Sequence, residues 1–157
     1  MKMPRVVLDT NVIVSALLTA DGFPSFIWDE VKTKSAQAFY SDEMYAEYED
    51  VLRRPKFPFK RETSDAILDL IFRNFTKVIP ITSSIPLKDE SDRPFYDVAT
   101  TANATLITGN LKHYPESPHV SAPSEFVFAY INLKLKYAAL EDREQGVTID
   151  ILGEKTI

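Results

Sequence analysis

The chain reads as an α/β protein of the three-layer α/β/α kind, with a mostly parallel central sheet covered by helices on both faces. Three observations carry that reading. Short apolar runs of strand length alternate with stretches whose apolar residues recur at helical spacing, which implies crossover connections and parallel strands. The first run, Val6-Val7-Leu8, is apolar at successive positions, as in a strand buried on both faces. Polar residues then crowd its end in Asp9-Thr10-Asn11. The end of a strand is where such a sheet can expose polar groups without burying them unpaired.

The elements follow in order. Arg5 to Leu8 is predicted as a strand and Val12 to Leu18 as a helix that stops near Asp21-Gly22. Pro24 suits the first turn of a second helix, with Phe26, Ile27, Trp28 and Val31 at helical spacing. Gln37 to Tyr40 is a short β-like run. Ser41 then caps a helix reaching Leu52, with Asp42 and Glu43 in its first turn, where negative charge is favoured. Pro55-Lys56-Phe57-Pro58-Phe59 is a connector, and Ser64 to Phe75 a helix with Ile67, Leu68, Ile71, Phe72 and Phe75 on one side. Lys77 to Ile81 is predicted as a strand. A polar loop over Thr82 to Ser91 leads into a helix near Arg93 to Ala102, with Pro94 in its first turn. Ala104 to Thr108 is a buried strand from which Gly109-Asn110 turns away, and a last helix covers roughly Ser124 to Lys136. Residues 1–137 are read as one domain, and 138–157 as a C-terminal extension with alternating Val147, Ile149 and Ile151. That extension is open to three readings: a strand, a partner-binding arm or a loose end.

Bulk properties narrow the function classes. A chain of 157 residues, 45% hydrophobic and 26% charged, is sufficient for one domain with a substantial core. With no cysteine, disulfides and thiolate metal sites are excluded, which suits a reducing compartment. No apolar run approaches the roughly 18–20 residues of a membrane span, and Met1-Lys2-Met3-Pro4-Arg5 leads into a strand rather than a signal peptide. The expectation is a soluble cytoplasmic protein without a membrane partner. A net charge of −5 argues against a nonspecific nucleic-acid coat protein. A nuclease stays open, because divalent metal reverses the field of an acidic site.

The chemistry lies in a set of dispersed oxygen donors. Asp9 ends the first strand and Asn110 follows the strand through Leu106-Ile107, so a parallel sheet brings them to one edge. Asp92 stands at the entrance of the helix before that strand, and Glu47 sits mid-helix with its facing ambiguous. Singly, each has an ordinary role: Asp92 as a helix cap, Glu47 as a solvated helix residue, Asp9 and Asn110 as turn formers. Together they suggest carboxylates and a carboxamide converging, a donor set that suits Mg²⁺ or Mn²⁺. The main chemistry of such ions is to activate water and clamp phosphate oxygens, which points to phosphodiester hydrolysis.

Four ordered blocks, spanning roughly residues 5 to 130, resemble the PIN-domain family, especially the ribonuclease toxins of prokaryotic toxin–antitoxin modules. Val6-Val7-Leu8-Asp9-Thr10-Asn11-Val12 with Ser15 is similar to its first motif. Ser41 to Leu52, then Arg54-Pro55-Lys56-Phe57, resembles the second block, with Glu47 at the catalytic acid. Asp89 to Ala99 resembles the third, with Asp92 at the metal-binding position. Leu106-Ile107-Thr108-Gly109-Asn110 resembles the fourth, where many members carry Asp, so Asn110 is a departure that weakens the case for a second strongly held metal. Asp97 lies five residues after Asp92, about 500° of helical rotation and off its face, which favours a solvated or supporting role.

The resemblance implies a Mg²⁺- or Mn²⁺-dependent endoribonuclease. Asp9, Glu47 and Asp92 would hold metal directly or through water, and Asn110 would complete the ring. Thr10, Asn11, Ser15 and Thr108 would orient ligands or bind phosphate, although each is equally explicable as a strand-end cap. Arg53, Arg54, Lys56, Lys60 and Arg61 form a basic stretch beside Phe57 and Phe59 that suits an RNA backbone or a solvated connector. Lys112-His113-Tyr114 is a second candidate, with His113 more often a surface residue than a base. The resemblance also implies a cognate antitoxin and a homodimer.

Particular residues oppose three rival readings. A receiver domain would want an acid pair after the first strand, where Thr10 and Asn11 follow Asp9 instead. A haloacid-dehalogenase-type phosphatase would want Asp in place of Asn11. A catalytically degenerate PIN fold that binds RNA or protein is opposed by intact Asp9, Glu47 and Asp92.

Overall fold

The computed structural model describes residues 1–146, 148–149 and 155–156. Five parallel strands form the central sheet: β1 (Arg5–Leu8), β2 (Gln37–Tyr40), β3 (Thr76–Lys77), β4 (Thr105–Ile107) and β5 (Val120–Ser121), in the order β3-β2-β1-β4-β5. The helices are α1 (Thr10–Leu18), α2 (Phe23–Lys32), α3 (Asp42–Leu52), α4 (Arg61–Asn74), α5 (Arg93–Ala102) and α6 (Pro123–Glu144). A short antiparallel pair, β6 (Thr148–Ile149) with β7 (Lys155–Thr156), follows. The α/β architecture with its parallel sheet is the one expected.

The central strand explains the topology. Val6, Val7 and Leu8 are all fully buried, as are Leu106 and Ile107 beside them on β4. Each such side chain contributes about 1.5–3 kcal/mol on leaving water. A strand apolar on both faces needs helices on both sides, and α1 and α5 each put an apolar face into this core. The chain runs from β1 to β2 on one side, while β4 lies on the other. The strand order therefore reverses at β1/β4, where α/β sheets open a crevice at the carboxyl ends of their strands.

Several elements depart from expectation for identifiable reasons. The β3 strand stops at Lys77 instead of Ile81; Pro80 has no amide to donate to a sheet, and Ile79 and Ile81 are exposed. The Ile81 amide instead donates to Thr101 Oγ1 at 2.9 Å. Helix α4 starts at Arg61, three residues early, because Ser64 is inside it and donates to the Leu52 carbonyl at 2.9 Å. Helix α6 continues to Glu144 through Ala138-Ala139-Leu140-Glu141, all good helix formers, and ends before Gly146 at φ 74°. The boundary drawn between residues 137 and 138 thus falls within α6. Strand β5 was not foreseen, being only two residues long. Of the alternating tail residues, Val147 and Ile151 lie outside the described residues. Among the described residues no single helix is long and apolar enough to cross a membrane.

Candidate active site

The parallel register builds the site. Leu8 pairs with Ile107, and the Asp9 amide donates to the Ile107 carbonyl at 3.0 Å, so the next residue on each strand, Asp9 and Thr108, come side by side. The fully buried Thr108 donates its hydroxyl to Asp9 Oδ2 at 2.8 Å and accepts the Asn110 amide at 3.0 Å. Asp9 occupies the N-cap position of α1, yet its side chain makes no cap bond to the helix. An N-cap side chain normally contributes about 1 kcal/mol. Here the carboxylate is turned into the crevice, where Tyr114 also donates to Oδ2 at 3.3 Å.

The other acids approach from separate helices. Glu47 faces α1 and accepts from Thr10 Oγ1 at 2.8 Å, which resolves its facing toward the site. Asp92 stands at the N-cap of α5, but it too makes no cap bond. Its Oδ2 lies 3.1 Å from His113 Nδ1, so capping is not what its side chain does. The sequence therefore brings Asp9, Glu47 and Asp92 to one edge with Thr10, Thr108 and Asn110. Ser15 and Asn11 line the cleft beside Asp9 and Glu47. Asn11 Oδ1 accepts the Gly109 amide at 3.0 Å, tying the β4 turn to α1. Asn110 is exposed at that turn, in a second cleft that holds Lys112 and His113.

Electrostatics unite the three acids. Burial pushes the Asp9 carboxyl above its ordinary range, and the Asp92 charge adds to this against the hydrogen bonds from Thr108 and Tyr114. Burial also raises Glu47, with Asp9 and Asp92 contributing, while Thr10 and Arg54 pull it down. Burial raises Asp92, opposed by His113 and by the Tyr114 hydroxyl. Each carboxylate is thus partly desolvated, and Asp92 raises both of the others. Positive charge placed among them would offset this desolvation and repulsion.

The donors are oxygen-only and fit a hard divalent cation by type and by charge. They do not form a ready-made cage: among the described residues no group of three or more His, Cys, Asp or Glu stands close enough to hold a metal ion. Mg²⁺ keeps several of its waters and commonly takes only one or two carboxylates directly.

Two tyrosines belong to the site: Tyr114, named from sequence only as part of the Lys112-His113-Tyr114 candidate, and Tyr48, to which the sequence assigned no role. Tyr114 is buried, stacks on Tyr96 at 6.4 Å between ring centroids, and places its hydroxyl against both Asp9 and Asp92. Burial and the three acids hold its phenol far above the usual range, fixing it as a neutral donor. Tyr48, fully buried, donates to the Leu8 carbonyl just below Asp9. Its place beside Glu47 was visible in sequence; the hydroxyl's target was not.

Asp97 is not solvated. It is buried, accepts from the Ser83 amide at 3.2 Å and lies 3.7 Å from Arg93 Nη1, anchoring the loop before α5. Arg53 pairs with Asp65 at 2.8 Å and with Glu49, leaving the cleft to Arg54 and Lys56.

Residues 5–112 match the family model described as PIN domain. The chain is 30% identical over 109 residues to the uncharacterized protein MJ1680 of Methanocaldococcus jannaschii, covering 68% of this chain and 70% of that one. It is similar in fold to the crystal structure of VapBC2 from Rickettsia felis bound to a DNA fragment from their promoter. That match has a TM-score of 0.52 at 19% identity, over 75% of this chain and 98% of the other.

Proposed function

Because the chain belongs to the PIN-domain family, we propose that it is a metal-dependent endoribonuclease, the toxin of a toxin–antitoxin pair. The observation that carries the reading is the meeting of Asp9, Glu47 and Asp92 at the β1/β4 crevice, with neither Asp9 nor Asp92 used as a helix cap.

A bound Mg²⁺ or Mn²⁺ supplies water activation and neutralises charge on the phosphate being cut. Asp9, Glu47 and Asp92 would hold it. Thr108 and Tyr114 orient Asp9 by donating to the same oxygen, Oδ2. Thr10 holds one oxygen of Glu47 in the same way. His113 steadies Asp92, and Asn110 and Lys112 flank the crevice on that side. On the other side Arg54 and Lys56 line the cleft with Asp9 and Glu47, where they would meet the RNA backbone.

The likeness in fold to a VapBC2 chain supports the toxin role, and our reading adds to it a cognate antitoxin, a homodimer and a cytoplasmic setting. An adjacent small open reading frame whose product binds this chain and silences it is the test of that part. The competing reading is a PIN fold that binds RNA or protein but does not cut.

One assay separates the two. Purified protein free of partner is incubated with structured and unstructured RNA in Mg²⁺, Mn²⁺ or EDTA, alongside Asp9→Asn. Cleavage that disappears in both EDTA and the variant supports the nuclease. Cleavage surviving both, or none under any metal, overturns it.

A further inference from the structure

The connector between α3 and α4 forms one wall of the cleft that holds the acids. Its shape is set by two prolines. Pro55 follows Arg54 in a turn closed by the Phe57 amide donating to the Arg54 carbonyl at 3.2 Å, a position proline suits. Pro58 restricts Phe57 to extended backbone. The result is a pair of stacked rings, Phe57 and Phe59, with centroids 5.6 Å apart and planes at 21°. The Lys56 ammonium lies over the Phe57 ring, 5.0 Å from its centroid.

This arrangement is open to the site. Arg54, Lys56 and Phe57 share a cleft of about 290 Å³ with Asp9, Thr10 and Glu47. Arg54 is near enough to act on the Glu47 carboxyl. Its 2.8 Å ion pair with Asp50 is exposed on both sides, so it contributes little and exchanges readily for a phosphate. Phe57 and Phe59 are half-buried, and Lys56, the group over the Phe57 ring, is exposed and flexible.

We propose that Phe57, backed by Phe59, is a stacking platform for one unpaired base next to the scissile phosphate, with Lys56 leaving the ring to meet the adjoining phosphate. The proposal rests on the ribonuclease reading for its substrate and deepens it by assigning the residue on which a base stacks. In a duplex both faces of each base are already covered by neighbours, so only an unpaired base can take the ring. A flat apolar ring with cations beside it, in one cleft with acids suited to phosphodiester cleavage, is the chemistry of a nucleotide subsite.

The test uses the full chain with Glu47→Gln to prevent cutting, in Mg²⁺, and a 12-nucleotide RNA bearing one 2-aminopurine. Unpaired RNA is expected to bind more tightly than its duplex, with the fluorophore quenched at one position. Phe57→Leu is expected to weaken unpaired binding about tenfold and to abolish the quench, and Phe57→Trp to restore both. The exposed Lys56→Gln, which cannot threaten the fold, is expected to keep the quench and to flatten the salt dependence by about one counterion. Equal affinity for duplex, or a quench and affinity unchanged in Phe57→Leu, overturns the platform. So does an unchanged salt slope in Lys56→Gln if Phe57→Leu fails to fold. The two readings fail separately. A protein that never cuts RNA yet loses the quench in Phe57→Leu retains the platform, whereas normal cutting with that quench intact removes the platform alone.

Discussion

Asp9→Asn is expected to make the metal-free protein more stable at neutral pH while removing its activity. Asp9 is only 8% exposed, and the charges it interacts with are those of the acids Asp92 and Glu47. Its stabilising partners are neutral donors: the hydroxyls of Thr108 at 2.8 Å and Tyr114 at 3.3 Å, and the Thr10 amide. Charge-accepting hydrogen bonds of this kind recover part of the desolvation cost of a carboxylate but not all of it. Asn preserves an acceptor for both hydroxyls and removes the charge, so a gain of about 1–2 kcal/mol follows, or roughly 2–8 °C in Tm.

The pH dependence gives the sign. A carboxyl raised in the folded protein retains a proton that the unfolded chain has lost. The associated stability is whole below the unfolded value, near 3.8 for Asp9 and Asp92 and 4.5 for Glu47. It is lost as pH rises through the folded values. In EDTA the stability of the wild-type protein relative to Asp9→Asn is therefore expected to be lower at pH 8 than at pH 4.5. Adding Mg²⁺ is expected to raise the wild-type Tm at pH 8 and to leave the variant unmoved. Thermal melts at both pH values, with and without metal, supply the measurement. A variant that is less stable than wild type at pH 8 in EDTA, by the same margin as at pH 4.5, would refute the argument that Asp9 is a strained, uncompensated charge.

Other expected outcomes are simpler. Tyr114→Phe keeps the stack on Tyr96 but removes the donor facing Asp9 and Asp92; RNA cleavage is expected to fall about tenfold, with less than about 1.5 kcal/mol lost from chemical-denaturation stability. Gly109→Ala would bring a methyl carbon to 3.3 Å from Asn11 Oδ1, displacing the carboxamide that holds the β4 turn; a loss of about 1 kcal/mol is expected, read as a lower denaturant midpoint. Arg93→Met leaves Asp97 buried without its cation and frees the Ser83 and Ile85 carbonyls that it binds. A lower denaturant midpoint is expected, with earlier proteolysis in the loop over residues 82–91. At the acid end, Asp89 and Glu90 are held below their ordinary values by Ser91 and Arg93. Their stabilising contribution is present above the unfolded values, 3.8 and 4.5, and is lost as pH falls through the folded ones; Glu90→Gln should make the acid limb of a pH–Tm curve shallower.

The sequence by itself determined the layers and the order of the elements. Strands apolar at every position, as in Val6-Val7-Leu8, can be covered only from both sides, and alternation with amphipathic helices then leaves a parallel sheet. It also named the acids, because Asp9 at the end of a buried strand has few ordinary uses. The direction of each side chain was beyond its reach. Glu47 sits on a helix whose apolar register left its facing open, and contact with Thr10 of α1 resolves it. Asp92 and Asp97 share one helix, yet one meets His113 and the other is buried against Arg93 and Ser83, a difference made by neighbours distant in sequence. Tyr114 reaches Asp9 across 105 positions, a contact without a local signature. Local pattern dictates which residues can form a strand end or a helix face; only tertiary packing, through the β1/β4 register and the stack on Tyr96, decides which polar groups then share a charge.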